Sequence, residues 1–119
     1  MTTQEIANRL VDLCRQAEWI TAQKELFAPD AVSVEPYATP AFEKETKGLD
    51  AIFEKGSKWS AMVSENHDLK VSEPVVASNS FAVTMFMDVT MKEMGRMAMT
   101  ELCVYEVKDG KIIKESFYL

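Results

Sequence analysis

Two long runs near the C-terminal end limit the folds open to this chain more than any other feature. Phe81 to Met91 and Arg96 to Val107 are rich in β-branched and apolar residues. Ser78-Asn79-Ser80, Lys92 to Gly95 and Lys108-Asp109-Gly110 bound them as turn clusters. Each run offers a strand of ~11 residues, well beyond the usual length. Strands that long twist and curl instead of lying flat. With Leu69 to Ala77 before them and Lys111 to Leu119 after them, they predict an antiparallel meander of four strands.

The first half of the chain has a different period. Thr2 and Glu5 make a capping box. Ile6, Leu10, Leu13, Ala17 and Ile20 then recur at helical spacing, with Trp19 near the end of the stripe. Ala22 to Phe27 predicts a second short helix, stopped by Pro29 and Asp30, and Ala31 to Glu35 a short strand. Pro36 to Lys47 reads as a loop able to fold over something. After Gly48, the stripe of Leu49, Ile52, Phe53, Gly56, Trp59 and Val63 predicts a third helix. Helices segregated from an antiparallel sheet define the α+β class. A curled sheet with helices in its concave side leaves a cone, and the open end of a cone is a pocket.

The totals exclude several kinds of function. A length of 119 residues fits one domain, 1–119, with one real core. A formal charge of −6 disfavours nucleic acid as a partner. No apolar run approaches the ~20 residues that cross a bilayer, so no membrane association is expected. The opening residues Met1 to Glu5 lack the pattern of a signal peptide, which makes a cytoplasmic location the expectation. Cys14 and Cys103 have no metal-ligand spacing, so no metal is implied, and Cys14 reads as a buried free thiol.

Glu18-Trp19, Leu26-Phe27-Ala28-Pro29-Asp30-Ala31-Val32 and Gly48-Leu49-Asp50-Ala51-Ile52 resemble segments of the nuclear transport factor 2-like superfamily. The ending Val104-Tyr105-Glu106-Val107-Lys108-Asp109-Gly110-Lys111-Ile112-Ile113 is similar to the terminal hairpin of its SnoaL-like branch. The resemblance implies an NTF2-like, or cystatin-like, fold: three N-terminal helices and a cone-shaped curled sheet enclosing a pocket. Activity is not implied, because the superfamily holds cyclases, isomerases, dehydratases, hydrolases and non-catalytic binders. In the SnoaL-like cyclases an aspartate and a histidine face the pocket from the last two strands. Their places correspond here to Cys103 and Glu115, and neither matches.

The penultimate strand alternates Met97, Met99, Glu101, Cys103, Tyr105 and Val107 on one face, with Ala98, Thr100, Leu102, Val104 and Glu106 on the other. Both faces are largely apolar. One should line the cone; the other predicts a homodimer packed through the sheet. Glu101 stands among apolar neighbours, where burial would raise its pKa toward general acid/base use. Glu115 joins it only under one hairpin register. A two-residue Asp109-Gly110 turn pairs Lys108 with Lys111 and puts Glu115 beside Val104, on the opposite face. A three-residue turn with Gly110 as a left-handed bulge pairs Val107 with Lys111 and sets Glu115 across from Cys103, diagonal to Glu101. The second register is preferred, since it also places Ile113 beside Tyr105 and agrees with the face parity the resemblance implies. His67, the only histidine, is a third acid/base candidate near the open end.

Trp19, Tyr37 and Trp59 are candidate walls. Met85, Met87, Met97 and Met99, with Cys103 and Phe117, are candidate ligand contacts, methionine being suited to variable apolar ligands. Two functions follow. One is an enzyme that moves a proton on a small apolar molecule in an isomerisation, cyclisation or dehydration, with Glu101, Glu115 and His67 as the acid/base set and no cofactor. The other is a non-catalytic ligand-binding or dimeric accessory domain in which the same carboxylates orient a ligand.

Overall fold

The computed structural model describes residues 1–119. The chain runs α1 (Thr3–Arg15), α2 (Trp19–Leu26), β1 (Phe27–Val34), β2 (Glu45–Lys47), α3 (Leu49–Met62), β3 (Val63–Val71), β4 (Val75–Val76), β5 (Ser80–Met91), β6 (Gly95–Lys108) and β7 (Lys111–Tyr118).

Helix α1 starts where its capping box is closed in both directions. Glu5 N donates to Thr2 Oγ1 at 3.1 Å, and Thr2 N donates to Glu5 Oε1 at 2.8 Å. Ile6, Ala7, Leu10, Val11, Leu13 and Cys14 are its buried face. The apolar stripe read to Ile20 is interrupted: α1 ends at Arg15, Ala17 adopts a left-handed conformation at φ 56°, and α2 begins at Trp19. Hydrogen bonds from Ala17 N to Cys14 O and from Glu18 N to Leu13 O satisfy the last carbonyls.

The strands order as β2-β1-β7-β6-β5-β3, with β4 on β5. The sheet is not purely antiparallel, because β1 runs parallel to β7. A short strand that follows directly on α2 reaches the far edge of the meander, and alternation patterns do not reveal that direction. The register between β1 and β7 shifts between Phe27 and Val32, around Pro29, whose ring nitrogen has no proton to give a ladder. Further shifts interrupt β3 against β5 and β7 against β6. Such bulges bend strands and deepen the curl. By contrast, β5 and β6 pair without interruption from Ser80–Glu106 to Met91–Gly95.

Strand β3 begins at Val63, earlier than the predicted Leu69, and Pro74 separates it from β4. Its residues 64–68 are exposed and polar on an edge strand, so they lack the apolar signature of a core strand. Strand β2 lies inside the segment read as loop.

The core fills the concave side. Ile6, Leu26, Ile52, Val83, Cys103 and Ile112 are among its fully buried side chains. Phe81 and Tyr105 stack across β5 and β6 with centroids 4.8 Å apart. Burying a side chain such as Ile52 contributes roughly 1.5–3 kcal/mol. No helix is long and apolar enough to cross a membrane.

Candidate functional site

Helices and sheet part beyond this core to leave a hollow of about 1200 Å³. Strand alternation aims Glu101 into it from β6, opposite Met85 of β5 and flanked by Met99 and Cys103. The terminal hairpin decides the second carboxylate. Lys108 pairs with Lys111 across a two-residue Asp109-Gly110 turn, with both central residues at positive φ (53° and 75°). That is the register expected to turn Glu115 away. A bulge follows, however: Val107 pairs with Ile112, and Glu106 with Lys114. The extra residue, Ile113, flips the parity of everything after it. Glu115 therefore lies opposite Tyr105, and Phe117 opposite Cys103, on the concave face. The preferred three-residue turn, the pairing of Glu115 with Cys103 and the diagonal placement of Glu115 on Glu101 are corrected: both carboxylates share a face, but Phe117 takes the diagonal position.

Beside β7, the parallel register sets Ser33 of β1 next to Glu115. Ser33 is fully buried and donates its hydroxyl to Glu115 Oε1 at 2.8 Å. Lys55 of α3 donates to Ser33 Oγ and, at 2.9 Å, to Glu35 Oε1. Its side chain is only 15% exposed, and its ammonium lies 5.5 Å from the centre of the Phe117 ring. The result is a continuous chain Glu35–Lys55–Ser33–Glu115, with Glu101 nearby. No buried side-chain nitrogen or oxygen lacks a partner.

Electrostatics follow from burial. Glu101 is pushed up to about 7, chiefly by desolvation, with the Glu35 and Glu115 carboxylates adding to the rise and Lys55 and the Cys103 thiol opposing it. That thiol is a long contact, 3.9 Å from Glu101 Oε1. Burial also raises Glu115, while Ser33 and Lys55 draw it back. Burial pushes the Cys14 thiol up to about 12, so it is not a thiolate at neutral pH.

Trp19, Tyr37, Trp59, Met85, Met87, Met99 and Phe117 line the hollow, as do Glu101, Glu115 and His67. Met97 and Cys103 do not. Met97 sits near the Gly95 turn, past the lining part of the strand, and Cys103 is fully buried behind Glu101 in the core. His67 falls at a bulge of β3, with Nε2 2.7 Å from Thr90 Oγ1 and 3.9 Å from Glu65 Oε2. It takes no part in the bonded chain. The segment after β1 does fold over the hollow: Pro36, Tyr37, Thr39 and Phe42 border it, and Lys58 reaches across to the Ala41 carbonyl.

Sequence reading missed Ser33, Glu35 and Lys55. A signal existed for Lys55, which stands three residues after Ile52 and four before Trp59, on the apolar stripe of α3. Ser33 alternates with Val32 and Val34, and its polarity hides that it is the inward member. No three His, Cys, Asp or Glu side chains are placed to hold a metal ion.

No curated protein matches this chain. A SnoaL-like domain model matches residues 1–119. A crystal structure from Mesorhizobium loti, described as a candidate SnoaL-like polyketide cyclase, is 34% identical, with each chain covered in full and a TM-score of 0.93. An NTF2-like protein of Burkholderia thailandensis is 15% identical, with 99% of this chain and 90% of that one covered and a TM-score of 0.84. A candidate isomerase from Bacillus subtilis is 20% identical over 99% and 88%, with a TM-score of 0.70. These last two speak for the fold alone. With the family model matched from end to end and a full-length relative above 30% identity, the chain belongs to the SnoaL-like domain family.

Proposed function

We propose that the hollow binds a small, mostly apolar molecule and that Glu101 exchanges a proton with it, in an isomerisation, cyclisation or dehydration. The observation that carries this reading is the placement of Glu101: a carboxylate turned into an apolar hollow, with no strong donor upon it and other carboxylates near. Such a group stays divided between its two forms near neutrality and can take a proton from one carbon of a ligand and return it to another. Glu115, bonded to Ser33, is a second carboxyl on the same face, opposite Tyr105 and two inward positions further along the sheet. The Mesorhizobium loti relative is described as a candidate polyketide cyclase, but Cys103 and Glu115 stand here where the cyclases carry aspartate and histidine, so that likeness supports the ligand site and not cyclisation itself.

The test is deuterium incorporation from D₂O into a panel of small carbon acids, followed by NMR. Wild type should catalyse exchange in at least one, and Glu101→Gln should bind that compound and exchange it at least about a hundredfold more slowly. Equal rates in the two proteins would remove Glu101 from the chemistry. Binding with no exchange in either would leave a ligand-binding domain without turnover.

A second copy of the chain is the proposed cover for the convex face. Leu102 and Tyr118, 41% and 54% exposed, sit there with the outward residues Val104 and Phe86. The contact would be isologous, as in a two-fold dimer.

A further inference from the structure

The charges lining the hollow are unbalanced. Glu18, Glu35, Asp68, Glu101 and Glu115 line it, against Lys55 and a single histidine, and of these acids only Asp68 has a further cation, Lys70 at 3.7 Å. Lys55 is already committed, at 2.9 Å to Glu35 and to the Ser33 hydroxyl. Ser33 in turn satisfies Glu115 at 2.8 Å. Glu101 is left over: its one side-chain contact is the Cys103 thiol at 3.9 Å. The hollow also has aromatic walls: Trp19, Tyr37 and Trp59 line it, with Phe117, whose ring already lies 5.5 Å from the Lys55 ammonium. Ring faces carry negative potential and attract cations.

We propose that the ligand of the hollow is a small apolar amine in its ammonium form, its positive charge seated between Glu101 and the walls made by Trp19, Tyr37 and Trp59. This deepens the reading of the hollow as a ligand site and does not depend on turnover. An entering carboxylate or phosphate meets uncompensated negative charge. A neutral ligand without a donor group strips water from Glu101 and gives nothing in return. An ammonium supplies the missing counter-charge, and the chain's net charge of −6 favours its approach. Once seated, it shifts Glu101 to the carboxylate. The groups that bear on Glu101 come from every side: Glu35 at the end of β1, Lys55 on α3, Glu115 on β7 and Cys103 on β6, with uncharged Met85 across on β5.

The two tryptophans of the chain both line the hollow, so intrinsic fluorescence reports its occupancy directly. The probes are phenyltrimethylammonium, its neutral carbon isostere tert-butylbenzene, and benzoate. At pH 8 the cation should bind at least about tenfold more tightly than the isostere, and benzoate most weakly. Because Glu101 titrates at about 7, that preference should shrink by about tenfold at pH 6. In Glu101→Gln the preference at pH 8 should fall by about tenfold and no longer change between pH 6 and pH 8, and a variant that keeps both the preference and its pH dependence removes Glu101 from the cation's seat. A neutral isostere or benzoate that binds as tightly as the cation at pH 8 overturns the ammonium assignment and leaves the ligand site standing. Silence from all three probes overturns both.

Discussion

Replacing Glu101 with Gln is expected to stabilise the protein, and to do so only above acidic pH. The side chain keeps its shape and loses a charge that the hollow disfavours. Its pKa stands at about 7 in the folded protein against an ordinary 4.5, mainly through burial. A folded-state pKa above the unfolded one means that the protonated form favours folding. Its contribution is complete below about 4.5 and is lost as pH rises through about 7. At about 1.4 kcal/mol for each pH unit, the full loss is about 3 kcal/mol. Gln never ionises, so the variant escapes the loss. Urea denaturation of both proteins at several pH values reads the difference. The two should be within about 0.5 kcal/mol of each other at pH 4.5, with the variant ahead by about 2 kcal/mol at pH 6 and by about 3 kcal/mol at pH 8. In melting temperature the last figure corresponds to roughly 10 °C. Because Glu35 and Glu115 contribute to the rise, part of the difference belongs to the group and not to Glu101 alone. A constant gap across this range, or a variant less stable than wild type at pH 8, would refute the claim that burial suppresses the ionised form.

Other substitutions test separate parts of the account. Ser33→Ala removes the hydroxyl that joins Lys55 to Glu115, and leaving those buried groups short of a partner should cost about 1–3 kcal/mol in urea denaturation; no loss would mean the chain is not a stabilising link. Gly110→Ala forces a side chain into φ 75° in the hairpin turn, with an expected loss of about 1 kcal/mol by thermal melting. Leu102→Glu places a charge on the convex face: sedimentation should show wild type as a dimer and the variant as a folded monomer, and a wild-type monomer would contradict the proposed dimer.

How much was legible depends on the range over which each feature is decided. Strand alternation fixed the face of Glu101, because period 2 along one strand is local and β6 carries no bulge before Cys103. The capping box of α1 is equally local, and it forms as read. Glu115 was harder. Its face depends on where one extra residue enters the hairpin, and the bulge lies at Ile113 instead of in the turn, on a strand that pairs with β1 as well as β6. The parallel placement of β1 on β7 joins residues about eighty positions apart, and with it the Ser33–Glu115 contact. No periodicity reports on that. Lys55 illustrates a different limit: a lysine on an apolar stripe looks like tolerated noise until a carboxylate from another element is found within reach of it. Edge polarity likewise concealed the first half of β3, together with the bulge that carries His67.

The most direct test of the account is the titration of the Glu101 side-chain carboxyl itself, followed by carbon-13 NMR in selectively labelled protein and assigned with Glu101→Gln. The account predicts a midpoint at about 7. A midpoint near ~4.3, the value of a solvated glutamate, would contradict it and leave the hollow without a tuned acid or base.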